Sequence, residues 1–203
     1  MCGWWLDSMV SKSYRYKCLK ENILEQDNYH IEPLRQEDMM KIKEYRNKQM
    51  DVLRQKQPLT DEGQVLYYQK VVIPLFEVEE PKQLLFSYCY NKELIGYGGL
   101  TNIDWEAKRA EVSFLVDPNR VKNNQLYEKD FRYFLNFLKR IAKQQLKFNR
   151  LFTETYDIRP FHVGILEANG FEFEGRMKEH VLINNEYVDS LLHGCLLRSV
   201  NNA

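Results

Sequence analysis

RAEVSFLVDPNRVKNNQLY, Arg109 to Tyr127, is the stretch whose reading decides the fold. In its first half Ala110, Val112, Phe114 and Val116 alternate with Glu111, Ser113 and Leu115, which is the two-residue period of a strand. Asp117-Pro118-Asn119 stops that strand, because proline has no N–H for a ladder and Asp and Asn favour turns. Beyond the turn Phe131, Phe134, Leu135, Leu138, Ile141 and Ala142 share one face of a long helical pattern. A strand that runs through a short polar loop into a helix N-terminus predicts an anion site. The first helical N–H groups have no partner in their own helix and point outward. A nucleotide or pyrophosphate is expected there.

Working outward, Gln83 to Tyr90 and Glu93 to Ile103 read as two strands around Asn91-Lys92, a two-residue connection of hairpin type. Gly96, Gly98 and Gly99 in the second of them signal a bulge or close backbone approach. Upstream, Tyr29 to Leu34 (YHIEPL) alternates as a short strand and Gln36 to Asn47 as an amphipathic helix. Thr60-Asp61-Glu62-Gly63 opens a further helix that Pro74 ends or bends. Downstream come a strand at Arg150 to Tyr156 and a helix at Pro160 to Ala168, closed by Asn169-Gly170. Two last strands, Phe171 to Met177 and Glu186 to Leu197, turn at Asn184-Asn185. Strand runs with interposed helices predict an α/β fold with a mixed sheet and helices on both faces. Residues 1–27 carry no clear period; they form an extension that either packs on the domain or trails as a tail, and residues 28–203 form the domain.

The 203 residues suffice for one domain with a proper core. Lys plus Arg equals Asp plus Glu at 29 each, so no global field draws the chain to nucleic acid. The four cysteines and four histidines show neither CxxC nor metal-ligand spacing, which points to reduced structural thiols and no metal. The longest apolar run, Val71 to Phe76, is broken by Pro74 and is far from membrane length. The opening MCGWWLDSMV lacks a basic flank and an apolar region, so no secretory signal is expected and the cytoplasm is the default.

By now the sequence resembles the GNAT superfamily of N-acetyltransferases, nearest to its ribosomal-protein and nucleotide-sugar branches. Glu44 to Asn47 (EYRN), Ile95 to Leu100 (IGYGGL), Ala110 to Pro118 (AEVSFLVDP) and Glu167 to Arg176 (EANGFEFEGR) carry the resemblance, in that order along the chain. It implies a single domain around a central, mostly antiparallel sheet of about seven strands. It also implies acetyl transfer from acetyl-CoA to the amine of a small acceptor, with an amino-sugar nucleotide of surface-polysaccharide synthesis the best fit. A homodimer is compatible with it. The alternatives are acetylation of a protein N-terminus, or a degenerate fold kept as a binding module. One departure supports the last: the two glycine positions of the family's pyrophosphate loop hold Lys122 and Asn124.

The resemblance also distributes roles. Phe114, Leu115 and Val116 would offer a backbone N–H to the developing oxyanion. Arg120, Lys122, Asn123, Asn124 and Gln125 would hold the phosphates, with Arg159 where many relatives contact CoA through Asn. Glu111 is the first choice for the base that deprotonates the amine, its bland alternative being an ion pair with Arg109 or Lys108. His162 is the second, as an acid or base near neutral pH; its alternative is a partly buried helix histidine. The family's thiolate-protonating tyrosine is replaced here by Leu166, and Tyr156 is the candidate substitute. For the acceptor the candidates are Arg46, Asn47, Arg54, Asp104 and Trp105, arginine being suited to phosphates.

Overall fold

The computed structural model describes residues 14–197, in which eight strands form one sheet ordered β1-β2-β3-β4-β5-β6-β8-β7. The strands are β1 (Leu24–Gln26), β2 (Tyr29–Pro33), β3 (Leu84–Tyr90), β4 (Glu93–Asp104), β5 (Arg109–Val116), β6 (Arg150–Tyr156), β7 (Glu172–Ile183) and β8 (Glu186–Leu196). The helices are α1 (Met39–Asn47), α2 (Asp61–Tyr67), α3 (Ile73–Phe76), α4 (Pro118–Val121), α5 (Asn124–Arg140) and α6 (Pro160–Ala168). Every pairing is antiparallel except β5 with β6. That pair is joined by the long crossover through α5, which a parallel neighbour requires.

Helices cover both faces. Ser87 and Tyr88 are consecutive in β3 and point oppositely. The Ser87 hydroxyl donates to Asp38, at the entrance of α1 (2.6 Å), and the Tyr88 hydroxyl donates to the Asp130 carbonyl in α5 (2.8 Å). On the α5 side Phe131, Phe134, Leu135 and Leu138 are buried against the sheet, as their period predicts.

One expectation changes, and one stated alternative is decided. The polar loop after β5 is a single helical turn, α4. Asp117 caps it by accepting from Asn119 N (2.8 Å), and Pro118 sits in its first turn. Pro74 does not end its helix: a π-helical stretch, Tyr68–Val72, carries the chain into α3, whose first turn holds Pro74. Upstream of Tyr29, a short edge strand, β1, adds to β2. Tyr16 is also buried, its hydroxyl accepting from Leu85 N and donating to Leu85 O, both at 2.8 Å.

Close approach explains the glycine run. At Gly98 a β-carbon would stand 2.1 Å from the Ser113 carbonyl oxygen, and at Gly99, with φ of +154°, 1.8 Å from that of Leu84. The neighbouring strands leave no room there for a side chain.

The feature that makes a site is a gap in the sheet. The β5–β6 ladder comprises only Arg109–Arg150, Ala110–Leu151 and Glu111–Phe152. Past Glu111, β5 stays with β4 as far as Val116 and β6 stays with β8 as far as Tyr156. Their facing edges diverge, and main-chain groups between Val112 and Val116 are left without a ladder partner on that side.

Candidate active site

The gap is a cleft of about 200 Å³ lined by β5, β6, the start of α6 and the segment after α1. Strand alternation assigns its two mouths. Glu111 and Ser113 project to the α1 face, and Val112 and Phe114 to the α5 face, where Phe114 stacks on Phe131 at 4.4 Å. The cleft therefore runs through the sheet.

On the α1 side, Glu111 is 7% exposed and is held by three hydrogen bonds. Arg54 donates through Nη2 (2.8 Å) and Nη1 (3.3 Å), and Asn102 Nδ2 donates at 2.5 Å. Arg54 Nη2 also reaches Glu154 Oε2 at 2.8 Å, so one guanidinium joins a carboxylate from each diverging strand. The expected pairing of Glu111 with Arg109 or Lys108 does not form: Arg109 pairs with Asp104 at 3.3 Å, and Lys108 lies over Trp105. Tyr156 lines the same mouth. Burial raises the pKa of its phenol and the nearby Arg54 opposes that rise.

On the α5 side, His162 is buried, stacks on Phe131 (4.4 Å between centroids) and places Nδ1 2.7 Å from the Tyr127 hydroxyl. Arg159 Nη2 donates to that same hydroxyl at 2.8 Å. A guanidinium only donates, so the Tyr127 oxygen accepts from Arg159. Among the described residues the phenol hydrogen has no acceptor but His162 Nδ1. Burial first, then Arg159 and His193, hold the imidazole pKa well below its ordinary value. His162 is thus neutral, with Nδ1 accepting and its hydrogen on Nε2. Thr153 and Thr155 complete this wall, and the buried Thr153 hydroxyl has no partner among the described residues. Such an orphaned group suits a ligand with amides, as CoA has in its pantetheine arm.

The three candidate catalytic side chains and Arg46, Arg54, Phe114 and Arg159 therefore meet at one cleft. Arg46 is engaged with Tyr97 and with Gln55 (2.9 Å). The other candidates do not reach it. Asn47 pins the following segment through Leu59 N (2.8 Å), Leu59 O (3.0 Å) and Gln55 (2.9 Å). Asp104 braces the β4–β5 turn by accepting from Ala107 N (2.8 Å), and Trp105 donates to the Pro81 carbonyl (2.9 Å). Leu115 and Val116 are buried, so only their main chain is available.

At the expected phosphate site, Arg120 turns inward. It grips the fully buried Asp130 at 2.6 and 2.7 Å, and Tyr29 donates to the same carboxylate at 2.8 Å. Asn123 caps α5 by accepting from Leu126 N (3.0 Å). Lys122, Asn124 and Gln125 stay exposed beside that helix start. Sequence reading missed Tyr127, Asn102 and Glu154. Tyr127 shares the apolar face of its helix, and nothing local marks its hydroxyl.

Sequence spacing shows no metal motif, but the β2–β3 pairing brings His30, Glu32 and Cys89 within 4.8 Å of one another. Arg35 already occupies that cluster, donating to Glu32 (3.0 Å) and to Cys89 Sγ (3.7 Å).

Comparison with known proteins agrees with this fold. The family described as "Acetyltransferase (GNAT) domain" matches residues 31–192. No curated protein matches. Among solved structures, the spermidine N-acetyltransferase from Vibrio cholerae, in complex with CoA and spermine, aligns with a TM-score of 0.74 at 19% identity. That alignment covers 85% of this chain and 97% of that one. A dodecameric form of the Vibrio cholerae enzyme gives 0.71 at 19% identity, over 87% and 98%. A further structure, titled only a putative acetyltransferase, gives 0.65 at 15% identity, over 87% of each chain.

Proposed function

The chain belongs to the GNAT acetyltransferase family and is an acetyl-CoA-dependent N-acetyltransferase; from that premise we propose that its acceptor is a small cationic primary amine. The observation that carries the proposal is the carboxylate pair Glu111 and Glu154, which faces the α1 mouth and already clasps one cationic nitrogen, that of Arg54. An ammonium entering there meets two anions and displaces or shares with that guanidinium. That the similar Vibrio cholerae protein is a spermidine N-acetyltransferase, in complex with CoA and spermine, is in keeping with it.

The chain's own residues support direct transfer. Glu111 takes a proton from the ammonium, directly or through water, so that the amine can attack the thioester carbonyl. Main-chain N–H groups of β5 in the Phe114 to Val116 region, freed by the divergence of β6, stabilise the oxyanion. Acetyl-CoA supplies the activated acyl group. Thr153, Thr155 and Arg159 would line its path at the α5 mouth, with Lys122, Asn124 and Gln125 towards the phosphates.

A second reading, the amino-sugar nucleotide, is favoured by three arginines at the cleft, Arg46, Arg54 and Arg159, against two carboxylates. Both readings assign chemistry that a mere binding module does not need. The test is CoA release measured with a panel of polyamines, amino-sugar nucleotides and peptides. Turnover confined to diamines and polyamines supports the proposal. Turnover only with nucleotide sugars transfers it to the second reading, and turnover only with peptides sinks both.

A further inference from the structure

His162, Tyr127 and Arg159 form a chain of hydrogen bonds that starts at the cleft and ends at a cation. The imidazole stacks on Phe131, and its Nδ1 meets the Tyr127 hydroxyl at 2.7 Å. That hydroxyl in turn accepts from Arg159 at 2.8 Å. Nε2 takes no partner among the described residues and is the ring atom left to the cleft that His162 lines. Tyr127 is itself buried and is not part of the cleft wall. A neutral imidazole with its hydrogen on Nε2 is a poor acid alone, since losing that hydrogen would leave an imidazolate. It becomes a competent proton donor when a second group refills Nδ1 in the same step.

We propose that Tyr127, acting through His162, supplies the proton that neutralises the departing CoA thiolate. This rests on the transferase reading above and deepens it. When the C–S bond breaks, sulfur keeps the electron pair and takes the hydrogen from Nε2. Nδ1 takes the phenol hydrogen, so the imidazole stays neutral and merely exchanges tautomers. The negative charge comes to rest on the Tyr127 oxygen, 2.8 Å from the Arg159 guanidinium. After the thiol leaves, the Nδ1 hydrogen returns to Tyr127 and Nε2 regains one from water. As the amide forms, the attacking nitrogen sheds a second proton. That proton and the one Glu111 took pass to solvent, one of them replacing the hydrogen that Nε2 drew. Ammonium and acetyl-CoA thus give amide, CoA thiol and one proton, and the cycle balances. His162 is the residue that touches sulfur, and Tyr127 acts through it. The charged or titratable groups around the ring are Tyr127, Arg159 and His193; the last two are those that, after burial, disfavour imidazolium.

The experiment compares wild type with Tyr127→Phe, which keeps the ring stacking and removes only the hydroxyl. With acetyl-CoA, kcat is expected to fall about 100-fold while KM for acetyl-CoA is unchanged. With the acetyl thioester of an acidic aryl thiol, whose thiolate leaves without a proton, the two proteins are expected to turn over equally. Nitrogen-15 NMR of the wild type is expected to show His162 with Nδ1 unprotonated, a state that Tyr127→Phe disturbs. An unchanged kcat, an equal loss with both thioesters, or a wild-type His162 carrying its hydrogen on Nδ1 overturns the relay. Wild type releasing no CoA with any amine overturns the transferase reading itself, and the relay with it.

Discussion

Glu111 is legible in the sequence as a polar residue in an apolar strand, but its partners are not. Arg54 lies 57 residues away and Asn102 belongs to the adjacent strand, and only the folded sheet brings them together. The nearer cations are excluded because Asp104 takes Arg109 across the β4–β5 turn. Glu111→Gln keeps the shape and removes the basic oxygen. Its kcat is expected to fall by about 100- to 1000-fold with KM for acetyl-CoA little changed, as steady-state kinetics would show; a loss under tenfold would remove Glu111 as the base. Gly99 is the opposite case, since the spacing of its glycine run announced close backbone approach and the structure supplies it. Gly99→Ala places a methyl group against the Leu84 carbonyl at a φ of +154°. The fold should lose roughly 3 kcal/mol or more, read as a shifted denaturant midpoint with unchanged slope.

At the scale of elements, alternation and helical period located most strands and helices because each buries one face. Their failures have physical causes. A three-residue strand such as β1 is too short to show a period, and α4 is held by a capped turn and a proline rather than by an apolar stripe. The β2–β3 pairing is likewise invisible locally, yet it sets a titration. His30 faces Glu32, Cys89 and Arg35, with Glu25 opposite it on β1. Hydrogen bonding to Cys89, then to Glu32, raises its pKa from 6.5 to about 9. A raised folded pKa contributes stability that is complete below 6.5 and is lost as pH climbs through 9. The melting temperature should therefore decline between pH 6.5 and 9, and His30→Gln should flatten that decline. An identical slope in the variant would assign the effect to other groups.

For the molecule as a whole, acetyl-CoA at about a hundred times its dissociation constant should stabilise the fold by roughly 2.7 kcal/mol. In a domain of this size that is a rise of about 5 to 10 °C in Tm. No rise at millimolar concentration would mean that the filled glycine positions at Lys122 and Asn124 have cost the cofactor site. The family resemblance was readable because motif order survives where single residues drift. The acceptor is not readable in the same way, since the groups proposed to recognise it, Glu111 and Glu154, are brought together only by the tertiary fold. The opening between β5 and β6 has one more consequence, for the order of events. On the proposed assignment the two reactants come from opposite sides of the sheet, so neither doorway is blocked when the other is filled, and either partner can bind first. Initial-rate plots for one reactant at several fixed levels of the other should intersect rather than run parallel. A single molecule made by joining the two would thread the sheet like a bolt, gaining from both ends at once an avidity that neither half has alone.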